Sequence, residues 1–306
     1  MSIVIAGSVA IDNVKTPTET QNGLLGGSAS YAALAASIFC KPAHIVGIVG
    51  HDFPKEHLDM LAARGVSLDG IEHSPQESFT WTGEYFNDMN TRTTHKVGIN
   101  VLENWLPKVP EAVRSAAKVA VLANMSPDNQ LQTLEQCTGA EFIAADTMDL
   151  WIEIANERLH EVLKKIDLLV INDGEAKEFA GTTNLITAGR RLQEKGPRYV
   201  VVKRGEHGSY LFGPGAQDFF SCSAYPLPSV FDPTGAGDSF LGGLAGWLAA
   251  NGKSKPTFDD LKTAVVHGSV TASFTCEAFS TRRLQSVTAD DVAARIAELK
   301  NYTSFA

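Results

Sequence analysis

Short, unbroken apolar runs recur along the chain at Ile3 to Ala6, Ile45 to Val49, Val119 to Ala123, Phe142 to Ala145, Leu168 to Ile171 and Val200 to Lys203. Each has strand length and none alternates apolar with polar, the pattern of strands covered on both faces. Between them the spacing predicts helices at Ser28 to Phe39, Pro54 to Arg64, Leu131 to Cys137, Leu150 to Lys164 and Thr187 to Lys195. Later come Gly237 to Ala250, closed by Asn251-Gly252, then Asp259 to Cys276, and a last helix from Ala289 to Lys300 that Thr288 and Asp291 open as a capping box. Strand and helix in alternation predict an α/β fold with a mostly parallel central sheet flanked by helices. No internal repeat, low-complexity tract or linker divides the chain, so a single domain over residues 1–306 is expected.

One segment departs from that rhythm. Phe79 to Val97 is β-prone and polar, with a turn at Asn87-Asp88-Met89-Asn90, and reads as a hairpin inserted between α/β units. A hairpin without helices of its own has to lie over a substrate, a second subunit, or both. The polar, Thr-rich stretch Ile11 to Leu25 can join it, giving a small β lid from approximately 11–25 and 79–100. Phe79, Trp81 and Tyr85 alternate onto one face of the first hairpin strand, and an exposed aromatic row is costly unless covered. Pairing of two lids in a homodimer is the simplest cover. An inward-facing row that stacks on a substrate is the alternative.

Composition narrows the partners. The chain has 306 residues, 44% of them apolar, enough to bury roughly three quarters of the unfolded surface. Lys and Arg total 26 against 35 Asp and Glu, a formal charge of −9, which argues against a nucleic-acid partner while leaving room for a local pocket that holds one small phosphate. The longest apolar stretches, Tyr31 to Cys40 and Phe240 to Ala250, are about half of the roughly 20 residues a membrane span needs. The start, Met1-Ser2-Ile3-Val4-Ile5-Ala6, lacks a basic region and cleavage site and reads as a buried strand, so a cytoplasmic location is expected. Cys40, Cys137, Cys222 and Cys276 are too scattered for a metal knuckle or redox pair. His160-Glu161 is followed by Lys164 where a second zinc ligand would stand.

The string Phe231-Asp232-Pro233-Thr234-Gly235-Ala236-Gly237-Asp238-Ser239-Phe240 precedes an apolar helix. Asp232-Pro233 halts the preceding chain, and three small residues let backbone amides converge at the first turn of the helix, where the dipole favours an anion. Asp238, at the same helix start, is placed to accept a proton from a hydroxyl that attacks an electrophile held against those amides. An ordinary N-cap Asp after a glycine turn would also account for Asp238. Other phosphate loops do not fit. Gly246 to Ser254 has one residue too many for a Walker loop and ends a helix instead of starting one, and a dinucleotide fingerprint would need a glycine where Phe240 stands.

With these residues the sequence resembles the ribokinase-like (PfkB) carbohydrate kinases. The string from Asp232 to Phe240 is similar to that family's C-terminal signature, and Gly26-Gly27 before the small-residue helix is similar to its N-terminal one. The resemblance implies transfer of the γ-phosphoryl of ATP, with Mg²⁺, to a hydroxyl of a sugar, nucleoside or similar small alcohol beneath a β lid. It makes Asp238 the base and Gly235, Ala236 and Gly237 the anion hole. Asn172 and Glu175 match an NxxE element that helps hold the metal and its waters; Glu175 would act through water. A first-turn carboxylate favoured by the helix dipole would account for Glu175 as well. Gly205 and Gly208 match the nucleotide-loop glycines, Asp12 the acidic residue that grips acceptor hydroxyls, and Gly26 and Gly27 the close approach of backbone to acceptor. A K⁺ near Asp232 is a further family feature, and lid pairing occurs among relatives.

Three departures qualify the match. Tyr31 replaces an Asn that often contacts sugar hydroxyls, and offers an aromatic surface instead. Lys203, followed by Arg204, stands where a Thr commonly begins the nucleotide loop; a cation there can contact ATP phosphates or simply be solvated. A DxNxR string survives only as Asp146-Thr147-Met148-Asp149-Leu150, which makes an acidic or phosphorylated sugar a poorer acceptor. A free sugar is placed ahead of a nucleoside, because Asp12 grips ribose hydroxyls equally in both and nothing in the sequence reads a base edge. A retired kinase that only senses sugar or nucleotide is the remaining alternative, weakened by an intact base and anion hole.

Overall fold

The computed structural model describes residues 1–304. Its strands are β1 (Ser2–Ala6), β2 (Ala10–Lys15), β3 (Thr20–Gly26), β4 (Ala43–Val49), β5 (Val66–His73), β6 (Phe79–Tyr85), β7 (Arg92–Gly98), β8 (Ala117–Leu122), β9 (Phe142–Asp146), β10 (Leu168–Asn172), β11 (Tyr199–Lys203), β12 (Ser209–Phe212) and β13 (Phe219–Cys222). The helices are α1 (Ser28–Ser37), α2 (Lys55–Ala63), α3 (Glu111–Arg114), α4 (Pro127–Gln136), α5 (Asp149–Ile154), α6 (Asn156–Leu163), α7 (Asp173–Ala180), α8 (Leu185–Gln193), α9 (Ala236–Ala250), α10 (Phe258–Thr275) and α11 (Ala289–Thr303).

Nine strands form one sheet in the order β13-β12-β11-β10-β9-β8-β1-β4-β5. All neighbours from β5 to β11 run parallel, and β12 and β13 close one edge antiparallel. The unbroken apolarity of the inner strands follows from having a core on each side. Ile3 and Ile5, Val119 and Val121, and Leu168 and Val170 enter one cluster with α1, α9 and α10. Val4 and Ala6, Ala120 and Leu122, and Leu169 and Ile171 enter the other, with α4, α6 and α8. All six predicted inner strands lie in this sheet. β5 and β13 escaped the apolar pattern because they are half-exposed strands at the two edges, and β12, buried one strand in from the edge, opens on the polar Ser209.

Two helix expectations need correction. The helix expected from Leu150 to Lys164 is two, α5 and α6, broken at Ala155, whose φ −132 and ψ 31 are not helical. α4 starts earlier than its apolar pattern, at Pro127, because Ser126 caps it by accepting from the Asn129 amide. The capping box at Thr288 and Asp291 forms as expected.

β3, β2, β6 and β7 form a separate four-stranded sheet. β2 and β6 are parallel with Asp12 opposite Trp81 and Val14 opposite Gly83, so Asp12 and Val14 share a face with Phe79, Trp81 and Tyr85. The other face carries the Lys15–Glu84 ion pair at 2.8 Å and the Asn13–Thr82 hydrogen bond. The aromatic row that was offered to a partner lid therefore faces inward, over Asp12. Among the described residues no helix is long and apolar enough to cross a membrane.

Candidate active site

In open parallel sheets, ligands gather at the carboxyl ends of the strands. Asp146, Asn172 and Lys203 are the last residues of β9, β10 and β11, all at that end. α9 brings its N-terminus to the same place. Its position is set by glycines that let backbones touch: a Cβ on Gly242 would lie 2.1 Å from Ala32 O of α1, and one on Gly268 would lie 2.6 Å from Phe240 O. At the helix start Gly235 has φ 76 and packs on Tyr31, whose ring would meet an added Cβ at 2.3 Å. The amides of Gly235 and Gly237 find no acceptor among the described residues, whereas that of Ala236 donates to Pro233 O at 3.1 Å. Two of the three expected anion-hole amides thus point to no protein partner.

Asp238 sits beside them. Burial, then the charge of Asp146, push its carboxyl up to about 7, against the opposing pull of Lys203. A base poised there is half ionised near neutrality. Lys203 Nζ donates to Asp146 Oδ2 at 3.2 Å and lies 2.8 Å from where a Cβ on Gly237 would be, against the anion hole. Arg204 does not join it. The Arg204 guanidinium stacks on the Tyr210 ring at 3.9 Å, away from the phosphate side.

The NxxE element is a capping box. Asn172 Oδ1 accepts from the Glu175 amide at 2.8 Å, and Glu175 Oε2 accepts from the Asn172 amide at 3.0 Å, which opens α7. Capping uses one oxygen of each side chain and leaves the Asn172 amide nitrogen and Glu175 Oε1 for other partners. Burial and Asp146 raise the Glu175 carboxyl to about 7. Asp146, Glu175 and Asp238 thus surround a single ammonium, an arrangement short of positive charge. Gly205 (φ 53) and Gly208 (φ 80) shape the turn after β11; a Cβ on Gly208 would meet Cys222 O at 2.0 Å, and one on Gly205 would approach Asn90 Oδ1 of the lid turn at 3.1 Å.

On the acceptor side, the Asp12 carboxyl lies over the Cα of Gly26, where a Cβ would collide with it at 2.0 Å. Gly27 has φ 90 and no room for a side chain beside Ser8 O. Burial, then the negative charges of Asp232 and Asp238, raise Asp12 to about 8. Tyr31 is not the aromatic surface expected at the acceptor. It is 1% exposed, packed under Gly235, and its hydroxyl has no hydrogen-bond partner. The aromatic side chain on the Asp12 face is Trp81: its indole lies across Gly83, where an added Cβ would be 2.1 Å from the ring, and Thr94 Oγ1 accepts its N–H at 3.2 Å. Thr234 Oγ1 donates to Tyr85 Oη at 3.3 Å, joining the lid to the anion-hole loop.

Sequence reasoning undervalued two residues. Asp146 appeared only as the remnant of a string, although an Asp closing an apolar strand two strands before the loop cation was a usable signal. Gly83, the seat of Trp81, stands two residues after it on β6 and so shares its face, a spacing that was legible and went unused.

The pfkB family carbohydrate kinase pattern matches residues 3–287. The chain is similar to a cytidine kinase of Thermococcus kodakarensis, 28% identical over 251 residues, 81% of this chain and 88% of that one. Among solved structures it resembles a putative ribokinase II of E. coli in complex with ATP and Mg²⁺, at TM-score 0.80, 19% identity and coverage of 97% of this chain and 99% of that one. It also resembles the nucleoside kinase of Burkholderia thailandensis in complex with inosine, at TM-score 0.76, 20% identity and 98% and 99% coverage. With Asp238 beside unpartnered amides at the head of α9 and that pattern spanning nearly its full length, the chain belongs to the pfkB family of carbohydrate kinases, phosphotransferases with an alcohol group as acceptor.

Proposed function

We propose that this kinase phosphorylates a nucleoside, using ATP and Mg²⁺. The observation that carries the reading is the indole of Trp81, lying over Gly83 on the face of the small sheet that also presents Asp12. A carboxylate for ribose hydroxyls and an aromatic plane for a base stand on adjacent strands of one small sheet. A base stacked on an aromatic side chain contributes about 1–3 kcal/mol, enough to separate a nucleoside from bare ribose by one or two powers of ten. The relative described as a cytidine kinase supports the same order. This reverses the order drawn from sequence, where a free sugar came first.

In the proposed reaction Asp12 holds the acceptor hydroxyls and Asp238 takes the proton of the attacking one. The amides of Gly235 and Gly237 receive the transferring phosphoryl group. Glu175 suits Mg²⁺ as a hard oxygen donor, with Oε2 spent on capping and Oε1 remaining, while Asn172 Oδ1 is held in the cap beside it, in a site short of positive charge. Among the described residues no three acidic, His or Cys side chains converge on one point, so the ion would be held largely through water. Bound there, it supplies neutralisation of phosphate charge. Asp232 is fully buried, accepts from the amides of Thr234 and Ser280 at 2.9 Å each, and has no cationic partner among the described residues, which suits a K⁺ beside it. Activity in K⁺ and in tetramethylammonium should then differ.

The deciding experiment is kcat/KM for cytidine, inosine, adenosine, ribose and fructose under one ATP-coupled assay. A nucleoside preferred by more than about tenfold, with that preference lost in Trp81→Ala, is expected. Ribose or fructose preferred over every nucleoside would restore the sugar reading. Lid-to-lid association would now have to use the exposed edge of β7 instead of the aromatic row. Sedimentation showing a monomer at micromolar concentration, with and without nucleoside, would remove it.

A further inference from the structure

Lys203 differs from every other basic side chain near the site. Its backbone begins the nucleotide loop, yet its ammonium turns back from Gly205 and Gly208 and lies against Gly237 in the first turn of α9. It is held there by Asp146 Oδ2, while Asp146 Oδ1 accepts the Thr147 amide at 2.9 Å. The Asp146 backbone is fixed in turn, because the buried Gln130 side chain donates to its carbonyl at 2.8 Å. Asp146 thus holds the ammonium through a rigid strand end. That single hydrogen bond leaves two ammonium protons directed elsewhere.

We propose that Lys203 is a catalytic cation of phosphoryl transfer, and that Asp146 is a positioning residue that keeps its ammonium on the anion hole. The proposal rests on the reading of Gly235 to Asp238 as the transfer site. In the step, the acceptor O–H gives its proton to Asp238 and its oxygen forms a bond to the γ-phosphorus. The bond from that phosphorus to the bridging oxygen breaks, and its electron pair leaves on ADP. Negative charge grows on the leaving oxygen as the bond breaks. A cation already seated beside the hole stabilises that charge without reorganising, the condition under which a fixed charge lowers a barrier most.

The charge balance requires such a group. Asp146, Glu175 and Asp238 all face this end of the sheet, with Asp12 behind Asp238 on the lid sheet. Facing them are Lys203 and, from the exposed lid strand β7, Arg92. An ATP polyanion brought into a pocket of carboxylates would be repelled. Lys203 is the buried cation that opposes this, and the three neighbouring carboxylates hold its pKa above the ordinary lysine value despite burial. It stays charged throughout the neutral range.

The test compares Lys203→Met, Asp146→Asn and the double variant, each with cytidine, inosine or ribose, whichever supports turnover in the wild type. Lys203→Met should lower kcat by about a hundredfold or more, the scale of losing one preorganised transition-state contact. ADP affinity, measured by calorimetry, should change less than about fivefold. The single variant also buries Asp146 without its partner, so its Tm should fall. The double variant removes that unpaired charge. It should recover Tm and not kcat, which separates catalysis from structure. Asp146→Asn alone should lower kcat by about tenfold at nearly constant ADP affinity, because the ammonium loses its charged anchor. Recovery of turnover along with Tm in the double variant would overturn the proposal, as would a loss confined to ADP affinity. Asp238→Asn serves as the control: near-normal turnover there would mean the transfer site itself is misassigned, whatever Lys203 does.

Discussion

Asp238 and Asp12 have opposite demands placed on them by burial and by chemistry. As the proposed base, Asp238 would have to be ionised to accept a proton, and its pKa of about 7 then predicts a kcat/KM that rises with pH through a limb centred near neutrality. Asp238→Asn keeps the volume and removes the proton acceptor. Turnover should fall by roughly two to four powers of ten while ADP still binds, as steady-state kinetics and calorimetry would show. Asp12 carries the stability side. Its folded-state pKa of about 8 lies above the ordinary carboxylate value, so between about pH 4 and 8 the folded chain holds a proton that the unfolded chain has released. Stability at this site therefore falls as pH rises through that window. Asp12→Asn should raise Tm at pH 8 and change it little at pH 4, while kcat/KM at pH 8 collapses; equal Tm shifts at the two pH values would refute the burial argument.

Elements, not single residues, decide where those carboxylates stand. α9 delivers both the amides and Asp238, and its place depends on glycines along two faces, Gly242 and Gly246 against α1 and Gly243 against α10. A Cβ on Gly246 would lie 2.6 Å from the Ala36 Cα, a backbone atom that cannot step aside. Gly246→Val should cost about 1–3 kcal/mol by overpacking, and should lower kcat because any shift of the helix moves the anion hole. Thr288→Ala removes a capping box at α11, which supplies no site residue. It should cost about 1 kcal/mol with kcat unchanged. Thermal melts beside kinetics on the two variants distinguish a helix that positions chemistry from one that only covers the core.

At the scale of the whole molecule, the proposed reaction would draw on two sheets. The large sheet contributes Asp146, Asn172 and Lys203 from strand ends, and the small sheet contributes Asp12 and Trp81 from a single face. Tyr85 links them through its hydrogen bond with Thr234, beside the anion hole. Tyr85→Phe keeps the ring among Val14, Leu24 and Phe279 and deletes only that link. A net hydrogen bond of about 1 kcal/mol predicts a KM for the acceptor raised by about fivefold with little loss of kcat. A fall in kcat with KM unchanged would instead place Tyr85 in the transfer step.

The sequence by itself determined the inner strands, most of the longer helices, the inserted hairpin and the kinase signature, because those features are local. Two-sided burial writes an unbroken apolar run, a helix start writes its cap, and an anion hole needs small residues in succession at Gly235 to Gly237. Asp12, Asn172, Glu175 and Gly208 were singled out only through the resemblance to the family's motifs, not through local physics. What the tertiary structure decided are relations between distant segments. Whether Trp81 faced a partner or Asp12 depended on the parallel register of β2 with β6, which no spacing within either strand encodes. Tyr31 looked like an acceptor surface on its own helix face and became the floor of Gly235 once α1 packed on α9. Lys203 and Asp146 lie 57 positions apart, and only the order of β9, β10 and β11 brings an ammonium and a carboxylate to one strand end.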